Sequence, residues 1–143
     1  MPEIAEVRRR VRQTIEQARL DAAERRARAE VAGEQGRRFV GRVATPVARQ
    51  LVSVLRAEGF VFRLSTPAGS VRLVSDRRRE DFIDIAVDAT DDAVTIMTTV
   101  SHVRGGRVLA TERPLAADVG IDALTELHVL DFFLDAIRVF VER

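Results

Sequence analysis

The side chains able to do chemistry are few and scattered. His128, Asp131 and Asp135 recur at steps of three and four residues, which gathers them on one face of a helix. They are the grouping most like a set of metal ligands. With two His in the chain and no Cys, no matching donors exist elsewhere, and a solvated helix face accounts for the three. No metal and no other cofactor is expected. Asp84 and Asp88 share one face of a strand, about 13–14 Å apart at four residues' rise. The carboxylate pair of a glycoside-cleaving site sits within roughly 9.5 Å. His102, beside a hairpin, has the chemistry of a base, but no nucleophile is spaced to pair with it. The chain has no phosphate loop, dinucleotide fingerprint, nucleophile elbow or paired-His zinc signature. No catalytic residue is assigned, and the chain is expected not to be an enzyme.

Charge is the other chemical resource. All 23 basic residues are Arg, and Lys, Asn, Tyr and Trp are absent, a bias that a GC-rich bacterial genome explains. The net charge of +1 hides an asymmetry: Met1 to Arg42 holds 11 Arg against 7 acids, a net of +4, and the remainder 12 against 15, a net of −3. Arg8, Arg12, Arg19 and Arg26 fall along one flank of a helix over roughly 27 Å, with Arg37 and Arg38 extending the stripe. Such a stripe can track nucleic-acid phosphates. Interleaved Glu residues and the lack of any aromatic residue in the arm for base stacking argue against a built nucleic-acid site.

These residues must be held by elements that the pattern of apolar positions defines. The 143 residues, 46% hydrophobic and 31% charged, suit one soluble globular domain with an appended arm. No run approaches the roughly 20 apolar residues of a membrane span, and the first residues lack a signal-segment pattern. A cytoplasmic location is the expectation. Residues 4–32 read as one helix of strong helix formers. Ile4, Val7, Val11, Ile15, Ala18, Ala22 and Ala29 form a narrow seam with a period nearer 11 than 7 residues. Gly33 and Gly36 are expected to end it, giving a helical arm over residues 1–36 and an α+β domain over 37–143. Thr45-Pro46 reads as an N-cap followed by Pro at the first helical position. The helix it opens, over 46–58, gathers Val47, Ala48, Leu51, Val52, Val54 and Leu55 on one side and stops at Gly59.

Beyond Gly59 the period changes to two. Strands are expected over 60–64, 71–75, 82–88, 93–103 and 107–115. A charge-balanced loop at 76–81 and a turn at Asp91-Asp92 connect the middle ones. Gly105-Gly106 is a two-residue hairpin signal that pairs Val103 with Val108. One face then carries Val94, Ile96, Val100, His102, Leu109, Thr111 and Leu115 as core. The other, with Thr95, Met97, Thr99, Ser101, Ala110, Glu112 and the two Asp, is small, polar and acidic. Five strands joined by short connections imply an antiparallel meander, with a helix packed on its core face.

The closing helix, from Thr125, is the most apolar element. Leu127, Leu130, Leu134, Ile137 and Val141 form one stripe; Val129, Phe132, Phe133, Ala136, Val139 and Phe140 form another. The polar sector covers only about a third of the circumference at 100° per residue. A helix lying on a sheet needs one stripe. The Leu stripe is expected to take the sheet, which leaves Val129, Phe132, Phe133 and Phe140 for the neighbouring helix, the arm or a second subunit. With Ile4, Val7, Val11 and Ile15 of the arm they make the candidate interface. The function expected is a non-catalytic protein–protein assembly or adaptor module, self-associating or part of a larger complex. Nucleic-acid binding through the Arg stripe is the first alternative. A ligand or peptide pocket lined by Phe60, Phe62, Phe132, Phe133 and Phe140 is the second.

Overall fold

The computed structural model describes residues 1–89 and 93–142; the expected turn at Asp91-Asp92 lies outside them. Helix α1 spans Ile4–Phe39, a π-helical turn Val40–Ala44, and α2 Thr45–Ala57. Five strands follow: β1 Phe62–Ser65, β2 Ser70–Ser75, β3 Phe82–Asp88, β4 Thr95–Arg104 and β5 Arg107–Pro114. A 3-10 turn at Ile121–Ala123 leads into α3, Glu126–Ala136, and α4, Arg138–Val141. The strands form one sheet in the order β1-β2-β3-β4-β5, every neighbour antiparallel. The chain is an α+β protein built on a meander.

The register follows from the turn chemistry. Gly105 and Gly106 take φ of 59° and 76°, the paired left-handed conformation of a tight hairpin that matches strand twist, and Val103 faces Val108. Pairing then lines up Val71, Ile85 and Thr98 across β2–β4, and beside them Leu73, Ile83 and Val100. Val71, Leu73, Ile83 and Ile85 have no solvent exposure. The helices cover this face as far as β4 and leave β5 exposed at all eight positions. Leu109 and Thr111, expected in the core, are therefore at the surface.

Gly33 and Gly36 do not end the first helix. Both are buried within α1, and a Cβ on Gly36 would stand 3.2 Å from both methyls of Val87 and 3.4 Å from Ile96 Cδ1. Glycine serves there to let the helix backbone meet the sheet, at some cost in helix propensity. The chain then passes from α1 into α2 with helical backbone throughout. Thr45 is not an extended N-cap: its φ and ψ are −65° and −45°, its N–H donates to the Val40 carbonyl, and its hydroxyl donates to that same carbonyl at 2.8 Å. Pro46 supplies the reason. It has no N–H to give and its ring crowds the carbonyl four residues back, and widening the preceding turn to i→i+5 bonding relieves that crowding. At the other end of α2, Gly59 (φ 94°) closes a Schellman arrangement: Phe60 N–H donates to the Leu55 carbonyl at 2.8 Å, and Gly59 N–H to that of Arg56 at 3.1 Å.

The loop at 76–81 is more than a solvated turn. Asp81 is fully buried, and its Oδ1 accepts the Val103 N–H at 3.0 Å. Strand β3 begins one residue later, so the carboxylate bonds to β4 just outside the β3 ladder. Ser101 reinforces the loop by donating to the Glu80 carbonyl at 2.7 Å.

Two substitutions separate the roles of glycine in this helical run. Gly36→Val forces a side chain against Val87 and lowers stability by about 1–3 kcal/mol. Gly41→Ala, with nothing within 4 Å of the new Cβ, raises it by about 0.4–1 kcal/mol. Thermal unfolding of both variants reads the two signs.

Candidate interaction surface

The closing helix settles which of its two stripes meets the sheet. Thr125 is the N-cap, and its N–H donates to His128 Nδ1 at 2.9 Å, one half of a capping box. From that start Val129, Phe133, Ala136 and Phe140 point at the sheet, each 5% exposed or less. The ring of Phe140 meets Phe62 edge-on at 5.5 Å. Leu127, Leu130, Leu134 and Val141 are 67%, 37%, 48% and 40% exposed. This reverses the expected assignment. Val129, Phe133 and Phe140, expected at an interface, are core, and Phe132, against Phe133 at 5.5 Å, is half-buried. The physical reason is that a stripe rich in Phe removes more apolar area from water than a Leu stripe, and Ala136 at its middle allows a close approach. The surplus apolar surface is real; it is the Leu face.

The second uncovered surface is the arm. Up to residue 31 no residue of α1 is buried, and Ile4, Val7, Val11, Ile15 and Leu20 are between 45% and 79% exposed. Its outward charges pair along the helix, Glu6 with Arg10 at 3.5 Å and Glu24 with Arg28 at 4.0 Å. Arg8, Arg12, Arg19 and Arg26 enter no ion pair among the described residues. Arg37 and Arg38 both lie against Glu34, at 3.0 and 3.5 Å, so the stripe loses charge where it nears the body.

The residues with catalytic potential are kept apart or occupied. Asp84 is paired with Arg72 at 3.2 Å, and the Arg72 guanidinium lies 4.0 Å over the Phe82 ring. His102 Nδ1 is buried without a hydrogen-bond partner among the described residues, and its ring stands edge-on to Phe140 at 6.3 Å. It borders a cleft of about 480 Å³ with Arg104, Val139 and Glu142. The nearest hydroxyl in sequence, Ser101, points to the other face and is bonded to the Glu80 carbonyl. His128, Asp131 and Asp135 line one cleft with Arg113 and Phe132, where Asp135 lies 3.9 Å from Arg113. Among the described residues no group of three or more His, Asp or Glu is placed to hold a metal ion. Of the five Phe expected around a pocket, Phe60, Phe62 and Phe140 border one cleft of about 170 Å³, with Ser75, Asp76 and Arg77; Phe132 and Phe133 do not reach it.

Sequence reasoning missed the Leu face as the open one and missed exposed Val108 and Leu109 on β5. The signal for the first was present as two equal stripes. No signal marked how far the helix layer would reach. Among the described residues no helix is long and apolar enough to cross a membrane.

The two stripes differ in what truncation does. Phe133→Ala is expected to cost about 3–5 kcal/mol, and Leu134→Ala less than about 0.5 kcal/mol within the protomer, measured by urea midpoints at low protein concentration. No known protein family matches the chain, and comparison with curated proteins and with solved structures finds no match for it.

Proposed function

We propose that the protein is a non-catalytic assembly module that associates with itself, either as a homodimer or within a larger complex. The observation that carries the reading is the arm. A helix whose residues up to 31 are none of them buried, with Ile4, Val7, Val11 and Ile15 exposed, has little tertiary packing to stabilise it, and single helices in water are marginal. The Leu127–Leu130–Leu134 face supports the same reading, because a contiguous exposed apolar patch marks an interaction site more often than a free surface. Four large apolar residues per arm, gaining about 1 kcal/mol each as half-exposed side chains are covered, give roughly 8 kcal/mol for two arms. That is comparable to the estimated 4–15 kcal/mol cost of association, so a second contact such as the Leu face is needed for a tight complex. Light scattering is expected to give a mass of at least twice the 15.9 kDa of one chain. A monodisperse single chain at micromolar concentration overturns the proposal.

A second reading rests on the Arg residues that enter no ion pair among the described residues. Arg8, Arg12, Arg19 and Arg26 span roughly 27 Å of helix and suit sequence-blind contact with nucleic-acid phosphates. Fluorescence anisotropy against a short duplex is expected to show binding at 50 mM salt that weakens steeply as salt rises, with a slope of about −0.9 per neutralised phosphate. Absence of binding at 50 mM, or a flat salt response, removes this reading.

A further inference from the structure

The arm carries more than an exposed seam. Its seam positions repeat every 11 residues: Ile4, Val7 and Val11, then Ile15, Ala18 and Ala22, then Arg26, Ala29 and Gly33, a third set that Arg26 interrupts. An 11-residue period keeps a seam on one side of a nearly straight helix. The positions bordering the seam repeat in step with it. One border carries Glu3, Thr14 and Arg25, the other Arg8, Arg19 and Glu30. None of these charged residues enters an ion pair among the described residues, whereas Glu6–Arg10 and Glu24–Arg28, which point away from the seam, do.

We infer that the occupant of the seam is the arm of a second copy, lying parallel and in register; this rests on the self-association proposed above. In a parallel helix pair, a border residue of one chain faces the residue five positions on, along the opposite border of its partner. Glu3 then meets the partner's Arg8, Thr14 the partner's Arg19, and Arg25 the partner's Glu30. Two of the three pairs join opposite charges, one includes a neutral residue, and none joins like charges. The large residues Ile4, Val7, Val11 and Ile15 bury one another, and Ala18 and Ala22 allow the backbones to close. The apolar contact stops at Arg26, and the Arg25–Glu30 pairs lie at that end of the seam. An antiparallel overlay centred on Ala18 fails on two counts. It lays each Val11 against Arg25 of the other chain, and each Ile15 against Asp21.

Single cysteines read the orientation cleanly, because the chain has no Cys of its own. Val7 is exposed, so Val7→Cys leaves the protomer fold intact. Parallel arms bring the two thiols together at the seam, within the roughly 3.5–4.5 Å Cβ separation a disulfide needs. Under mild oxidation of the full chain, most of the Val7→Cys protein is expected to shift to a linked dimer on a non-reducing gel. A mixture of Val7→Cys with Ala29→Cys is expected to give no link between the two variants. Linking of that mixed pair, without self-linking of Val7→Cys, makes the arms antiparallel and overturns the inference. A dimer by light scattering with neither link overturns the arm pairing but leaves self-association standing. A single-chain mass overturns both.

Discussion

One apolar sheet face has to be shared by every helix in the molecule. Val71, Leu73, Ile83, Ile85 and Ile96 are buried on it; α1, the π turn and α2 pack against its strands, and Val129 and Phe133 of α3 join the same core. The area is finite. Whichever helical stripe buries the most apolar surface takes it, and what is left over faces outward. This competition explains why α3 presents Phe133 inward, with Phe140 of α4 beside it, and Leu130 and Leu134 outward. It also explains why Gly36 sits at the closest approach of α1 to Val87, since a layer this crowded leaves no room for a side chain there.

Polar groups then fix the details that burial alone leaves open. Asp81, fully buried, accepts a hydrogen bond from β4 just before β3 begins. Thr45 donates a hydroxyl to the Val40 carbonyl inside the widened turn. Asp84, on the otherwise open sheet face, is shielded by Arg72, which also covers the Phe82 ring. Each is a buried polar residue satisfied by a specific partner, and burying it unpaired would cost about 1–3 kcal/mol.

The meander was legible because its signals are local. Alternation in β3 and the Gly105-Gly106 pair specify strand, turn and register without reference to anything distant. The glycines of α1 were misread because Gly33 and Gly36 look the same in sequence whether they end a helix or admit a neighbour; only the position of Val87, some fifty residues on, decides. Thr45-Pro46 has the spelling of a helix start, yet continuity from α1 turns it into a widened turn. The two stripes of α3 are nearly equal in the sequence, and the choice between them depends on the width of the helix layer, which no local pattern encodes. Asp81 was hidden among five other charged residues of its loop, and its burial follows from a β4 that outruns β3.

The free edge of β5 has its own consequence. A strand with eight exposed residues offers a row of backbone donors and acceptors on which another chain's strand can grow. Here that edge carries Arg107, Glu112 and Arg113, and it ends in Pro114, which has no N–H to give. Charge and proline at an edge oppose continuation of the sheet from one molecule into the next. The meander is thereby guarded against templated aggregation in spite of exposed Val108 and Leu109. Extension of the sheet from the β5 edge is discouraged.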